Sequence, residues 1–247
     1  MLAILATLYF NAQVKYCKFV LIPYGKCWMI KWKNCALYIP SPMRISAFPN
    51  GLESRLNDLH KKYTFRPFVE VEKGDVVCDV GAYIGEFSLA IADKADKILA
   101  IEPDPISSIC LCRNVARFSN IQVCQKLLWK SNTNLQFKIA YSTADSSILN
   151  VDSGVYKQKI IMEAQRLDHL LSNLNIDRID FLKIDAEGAE PEVLLGAAKV
   201  LGQIPKIAVD CTRERFGQPT TSEVQAILDS FGFQTCIPDQ YMVYAWQ

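Results

Sequence analysis

Histidine is scarce in this chain: among 247 residues there are two, His60 and His169, both within stretches of helical spacing where a surface role is the default. Zinc patterns are missing as well. The nine cysteines (17, 27, 35, 78, 110, 112, 124, 211 and 236) form no Cys-x-x-Cys pair and have no histidine at ligand spacing. An odd, scattered set, with Cys78 and Cys124 inside apolar runs, argues against a disulfide framework and fits a reduced, cytoplasmic protein. No apolar run is long enough to span a bilayer. MLAILATLYFNAQVKYCKFVLIP is interrupted by Asn11, Gln13, Lys15 and Lys18 well short of ~20 residues, and it lacks the basic start and small-x-small cleavage site of a signal peptide. Two readings fit residues 1–23: peripheral membrane contact by a helix lying on the surface, or a helix packed on the protein's own body or a second subunit, which is preferred. Finally, there is no field of one sign. The formal net charge is +1, with 27 basic and 26 acidic residues intermixed, so nucleic acid is excluded as the default partner.

What the chain does contain is apolar residues, half of the total, enough to bury a sizeable core. The opening third, residues 1–65, reads as an accessory segment of helix, hairpin and helix. CWMIKWKNCALYI (27–39) has β-branched and aromatic runs either side of Lys33-Asn34, and GLESRLNDLHKKY (51–63) spaces Leu52, Leu56 and Leu59 along one helical face. From Lys73-Gly74 onward, apolar strands alternate with helical segments, which argues for a parallel sheet covered on both faces. Strands are expected at 75–80, 97–101, 121–125, 179–184 and 206–209, and helices at 85–93, 105–118, 191–201 and 222–231. Residues 127–167 read as an inserted strand pair, and FQTCIPDQYMVYAW reads as a terminal antiparallel hairpin.

Two stretches carry chemistry. VVCDVGAYIGEFSLAIA is a buried strand, Asp79, a turn with Gly81 and Gly85, then a helix; glycines at such a turn let a ligand approach the backbone. The following strand, KILAIE, ends in Glu102, placed to accept both hydroxyls of a ribose. Together they point to a nucleoside-containing cofactor at the C-terminal edge of the sheet. A pyrophosphate fits poorly, because Gly81-Ala82-Tyr83 lacks the second glycine of the dinucleotide fingerprint. Asp79 would repel phosphate and favour a cationic ligand such as a sulfonium.

DVGAYIGEFS, IEPDP (101–105), RLDHLL (166–171) and FLKIDAEGAEPEVLLGA (181–197) resemble the FkbM family of S-adenosylmethionine-dependent methyltransferases, over about residues 74–209. The resemblance implies an α/β class I methyltransferase fold: a doubly wound, Rossmann-like, mostly parallel seven-stranded sheet with one antiparallel C-terminal strand, here spanning residues 66–247. It implies S-adenosyl-L-methionine as cofactor, with Asp79, Gly81 and Gly85 bordering the methionine part, Glu102 on the ribose with Pro103 and Asp104 beside it, and Ala82, Tyr83 and Asp185 also among the cofactor-binding residues. Ser146 and Ser147 resemble a serine pair of the family, facing the pocket or making a turn.

The second stretch, FLKIDAEGAEPEVLLGA, places Asp185 at the C-terminal end of an apolar strand, where ligands bind in open α/β sheets. Asp185 and Glu187 are the catalytic candidates: Asp185 to accept a proton or bind the cofactor's ammonium, Glu187 to orient the acceptor. Glu190 and Glu192 read as helix-dipole acids, and Lys183 as either a partner for an acid on a neighbouring strand or a functional group. Tyr83 and Trp129 are candidates for the pocket lining or for core. A divalent cation shared by Asp185, Glu187 and Asp210 is disfavoured, since no histidine completes the set, and no metal is expected. The resulting expectation is O-methylation of a small-molecule or glycan acceptor, a hydroxyl on a sugar, glycolipid or secondary metabolite. N-methylation of a peptide or amine and a non-catalytic nucleoside-binding scaffold are the rivals. The acceptor's identity and the oligomeric state are not encoded legibly.

Overall fold

Strand and helix order follows from where apolar runs are punctuated. The computed structural model describes residues 19–32, 35–141, 144–149 and 156–247. β1 (Val20–Tyr24), β2 (Cys27–Lys31) and β3 (Ala36–Ile39) form an antiparallel three-stranded sheet, followed by a 3-10 turn (Pro42–Ala47) and helix α1 (Leu52–Lys62). The alternating units come next: β4 (Val76–Val80), α2 (Glu86–Ile91), β5 (Lys97–Ile101), α3 (Pro105–Val115) and β6 (Ile121–Cys124). A second small sheet of β7 (Leu127–Leu128), β8 (Thr133–Ala140) and β9 (Tyr156–Gln165) interrupts them. α4 (Leu167–Asn173), β10 (Phe181–Ile184), α5 (Glu190–Gly196), β11 (Lys206–Asp210), α6 (Thr221–Ser230), β12 (Gln234–Cys236) and β13 (Met242–Trp246) complete the chain.

The main sheet has seven strands in the order β12-β13-β11-β10-β4-β5-β6. β13 runs antiparallel to both its neighbours, while the β11-β10-β4-β5-β6 ladder is parallel. The parallel sheet read from the alternation is present, with the seven strands and the antiparallel C-terminal strand that the family resemblance implies. Strand residues sort by parity, as a pleat requires. Cys78, Val80, Leu182 and Ile184 pack with Val193, Leu194, Val224 and Leu228 of α5 and α6. Val77 and Phe181 face the other way, against Leu59, Tyr63, Phe87 and Ile91 from α1 and α2.

Three readings need correction. The hairpin at 27–39 is two strands of a three-stranded sheet, and residues 20–23, assigned to an N-terminal helix, belong to its first strand. The polar turn at Tyr24-Gly25-Lys26 reverses the chain there, with Gly25 at φ +62°. The rest of that helix, residues 1–18, and Lys33-Asn34 lie outside the described residues. The insertion at 127–167 holds three strands, β7 pairing parallel with β9. Among the described residues Cys27, Cys78, Cys110, Cys112, Cys124, Cys211 and Cys236 are free thiols, and no helix is long and apolar enough to cross a membrane.

Candidate active site

A cavity of about 260 Å³ opens at the C-terminal edge of the main sheet. Its floor is the loop after β4, its sides are the loops after β5 and β10, and α1 with the 3-10 turn covers it from the N-terminal segment.

The β10 side begins with a buried ion pair. Lys183 and Asp79 are register partners on adjacent parallel strands, so the pleat sends both side chains to the face under α1 and α2. Lys183 Nζ lies 3.0 Å from Asp79 Oδ1 and also donates to the carbonyls of Val80 (3.1 Å) and Gly81 (2.7 Å). Ser88 donates to the other Asp79 oxygen at 2.7 Å. Burial pulls the Lys183 ammonium down, but Asp79 and Asp185 outweigh it and keep it charged.

One residue beyond the paired positions Ile184 and Val209, Asp185 and Asp210 emerge side by side on the same face. Both are met by the end of α1. Tyr63, 1% exposed, donates its phenolic O–H to Asp185 Oδ2 at 2.8 Å, and Lys62 forms an ion pair with Asp210. The Tyr63 ring is fixed edge-on against Phe87 at 5.0 Å. Burial raises the Asp185 carboxyl, yet Lys183, Lys62, the Tyr63 hydroxyl and Arg44 together hold it below the usual carboxylate range. Asp210 shifts the other way, pushed up by burial and by Asp185 despite Lys62.

Glu187 is the counterpart. It sits at φ +52°, a left-handed conformation uncommon outside glycine, and Ser147 Oγ fixes its carbonyl at 2.8 Å. Burial together with Asp185, Glu214 and Asp145 pushes its carboxyl well above the ordinary range. Glu214 is raised to about 7, chiefly by burial. The loop between them is clamped by Glu190, whose Oε1 accepts from the Ala186 and Gly188 N–H groups at 3.1 and 2.8 Å and whose Oε2 accepts from Thr220 at 2.8 Å. Glu190 is thus a loop fastener more than a helix-dipole acid. Glu192 holds Arg215 with two hydrogen bonds of 2.7 and 2.9 Å.

On the β5 side Glu102, 6% exposed, takes the N–H of Tyr83 on Oε2 and that of Asp104 on Oε1, each at 2.8 Å. Burial and Asp104 raise its carboxyl to about 8, more than those two donors counteract. Asp104 caps α3 through the Ile106 and Ser107 N–H groups, and Ser146 donates to its second oxygen at 3.0 Å, tying the insertion to the site.

Of the sequence candidates, Gly81, Ala82, Tyr83, Glu102, Pro103, Asp185 and Glu187 line the one cavity, as do Ser146, Ser147 and Asp210. Two do not. Asp79 is 0% exposed and spent on Lys183 and Ser88, so its charge is neutralised before any ligand arrives. Gly85 serves packing: a Cβ there would fall 2.6 Å from Leu111. Gly81 has its own structural duty, since an added Cβ would fall 1.8 Å from the Asp185 carbonyl oxygen, so the glycine admits a neighbouring backbone. Trp129 is outside the lining, and the RLDHLL motif is structural, its Arg166 paired with Asp168. Sequence reasoning missed Tyr63, Lys62, Arg44 and Arg55: the first two and Arg55 belong to an ordinary amphipathic helical pattern, and Arg44 lies in a short turn with no pattern of its own. Among the described residues, no group of three or more His, Cys, Asp or Glu is arranged to hold a metal.

The sequence model of the methyltransferase FkbM domain matches residues 79–235, more than half of the chain. The chain belongs to the FkbM methyltransferase family. It is an S-adenosylmethionine-dependent methyltransferase. Among curated relatives of this FkbM-type enzyme, methyltransferase sdnD of Sordaria araneosa is 28% identical over 204 residues, covering 67% of this chain and 78% of that protein. The 2-O-methyltransferase NoeI of Sinorhizobium fredii is 22% identical over 216 residues, 79% and 87% of the two chains. The methyltransferase FkbM structure from Methylobacillus flagellatus superposes with a TM-score of 0.55 at 18% identity, covering 83% of this chain and 53% of that one, a likeness of fold.

Proposed function

We propose that this enzyme methylates a hydroxyl of a small-molecule or glycan acceptor, with Asp185 as proton acceptor. The observation that carries the reading is the pairing of two neighbouring carboxyls driven apart in acidity: Asp185 held ionised by Tyr63 and the surrounding cations, Glu187 pushed toward its protonated form. Such a split gives one group that takes a proton and one that donates a hydrogen bond. Bound in the cavity, S-adenosylmethionine supplies an electrophilic methyl group on a sulfonium.

Glu102 supports the cofactor's placement. Its buried carboxyl accepts from two backbone N–H groups among the described residues, so the two hydroxyls of a ribose would complete its hydrogen bonding. Gly81, Ala82, Tyr83 and Pro103 then line the rest of the nucleoside and methionine path. Asp185 Oδ2 is occupied by Tyr63, which leaves Oδ1 to receive the acceptor's proton. Glu187 orients the acceptor from beside Asp185. A hydroxyl needs such a base as its proton leaves, whereas a neutral amine nucleophile needs none before attack. The relative NoeI is by name a 2-O-methyltransferase, which agrees with an oxygen acceptor. In this reading residues 1–65 are an accessory segment to the catalytic domain at 66–247, and through Arg44, Arg55, Lys62 and Tyr63 they complete its site.

The test is a screen with S-adenosylmethionine carrying a labelled methyl group, against sugars, glycolipids, hydroxylated metabolites and amines, followed by mass spectrometric location of the label. Label on oxygen supports the proposal; label on nitrogen alone refutes it.

A further inference from the structure

One corner of the cavity holds a pair of arginines to which the catalytic reading assigns no ligand. Glu86, at the start of α2, is buried between two arginines of the N-terminal segment. Its Oε2 accepts from Arg44 Nη2 at 2.7 Å and its Oε1 from Arg55 Nε at 3.0 Å. Two guanidiniums around one carboxylate leave a net positive charge. Each arginine commits one nitrogen to Glu86, and Arg44 Nε is buried with no acceptor among the described residues. Both side chains line the cavity. The Arg44 guanidinium also lies 4.8 Å from the centroid of the Tyr83 ring, which fixes it over the loop whose backbone Glu102 holds from the other end.

The rest of the lining cannot offer an anion the same reception. Lys62 and Lys183 are committed to Asp210 and Asp79, and Lys126 faces Glu163 at 3.8 Å near the surface. Asp185, Glu187 and Glu214 make the opposite wall acidic. A ligand with a negative end is therefore drawn to one place, where planar forked donors suit a carboxylate.

We propose that Arg44 and Arg55 form the subsite for the α-carboxylate at the amino-acid end of the cofactor. The inference rests on the S-adenosylmethionine site described above, with Glu102 on the ribose. It makes the N-terminal segment part of the cofactor site and gives the buried Glu86 a purpose: it holds both guanidiniums in place before the ligand arrives.

The test is calorimetric titration with three ligands: S-adenosylmethionine, its decarboxylated form, and 5′-methylthioadenosine, which lacks the whole amino-acid end. Losing a charge-assisted hydrogen bond is worth roughly a ten- to hundredfold change in affinity. The ratio of affinities for the first two ligands is expected to fall by at least about tenfold in Arg44→Gln and in Arg55→Gln relative to wild type. Binding of 5′-methylthioadenosine should stay within about twofold, which also reports that the site is folded. Because Arg44→Gln strips Glu86 of one partner, the double variant Arg44→Gln/Glu86→Gln, which keeps the corner electrically balanced, is measured beside it and should show the same fall. An unchanged ratio in variants that still bind 5′-methylthioadenosine overturns the subsite. Failure of the wild-type protein to bind any of the three overturns the cofactor site itself.

Discussion

Lowering the pH from 8.5 to 6 is expected to weaken binding of S-adenosylhomocysteine by about two orders of magnitude, and Glu102 is the reason. Its carboxyl is raised to about 8 by burial and by Asp104. Hydrogen bonds from a ribose favour the ionised form, so the bound pKa lies below the free one and binding expels a proton. Above about pH 9 the carboxylate is fully formed and affinity is flat. At pH 7 about one molecule in ten is ionised, which raises Kd about tenfold over the plateau, and at pH 6 about one in a hundred, which raises it about a hundredfold. Each pH unit costs about 1.4 kcal/mol of binding free energy. Calorimetry at half-unit steps, repeated in buffers of different ionisation enthalpy, measures both the slope and the proton released, close to one per ligand at pH 7. Glu102→Gln should bind weakly and with little pH dependence. Affinity that is flat between pH 6 and 8, or a slope that survives in Glu102→Gln, would mean that Glu102 does not govern binding.

Other expectations follow from the same packing. Lys183→Met leaves Asp79 charged, buried and without its cation, and should cost about 3–5 kcal/mol in urea unfolding; adding Asp79→Asn should recover much of that loss, and additive losses would mean that the pair is not coupled. Tyr63→Phe keeps the ring against Phe87 but removes the donor to Asp185. It should cost about 1–2 kcal/mol and, since the hydroxyl favours the ionised carboxylate, move the acidic limb of the pH–rate profile upward; an unmoved limb would deny Asp185 the role of base. Gly81→Ala, with its Cβ 1.8 Å from the Asp185 carbonyl, should destabilise by about 2–4 kcal/mol, whereas Gly202→Ala, which meets nothing within 4 Å, should stay within about 0.5 kcal/mol; thermal melts of both decide. In the ligand-free protein Glu102 and Glu190 are raised to about 8 and Glu214 to about 7, all through burial. An acid whose folded pKa is raised binds more protons folded than unfolded, so stability should fall as pH climbs from about 4.5 to 8 and level off beyond; urea midpoints across that range give the answer, and a rising midpoint would contradict it.

The sheet was legible because its signals are local: apolar runs of strand length, each followed by a helical pattern, with glycines at the turns. So were the strand ends that carry Glu102, Asp185 and Asp210, since in a parallel sheet the last residue of a strand faces the ligand edge. The pairing of Lys183 with a neighbouring-strand acid was open to period-two reasoning, but choosing Asp79 required the β10–β4 register. Other features depend on tertiary placement. Tyr63 and Lys62 end a helix whose sequence pattern is ordinary; only its docking over β10 and β11 brings them to Asp185 and Asp210. Arg44 and Arg55 are one turn and one helix apart, and Glu86 unites them. Asp79 looked like a ligand-facing acid because its motif places it at the strand's end, yet pleat parity turns it inward to Lys183. Gly81 carries a packing duty that its sequence does not announce, because a glycine that admits a ligand and one that admits a backbone carbonyl read alike.

Whether Asp185 is the base is decided by the single-turnover rate of Asp185→Asn beside its affinity for S-adenosylhomocysteine, using an acceptor found by the labelled-methyl screen. If Asp185 takes the proton, the rate should fall by about 10²–10⁴ while affinity changes little, because the loss belongs to the transition state. If affinity collapses instead and the bound complex still transfers its methyl group at the wild-type rate, Asp185 holds the cofactor and the base lies elsewhere.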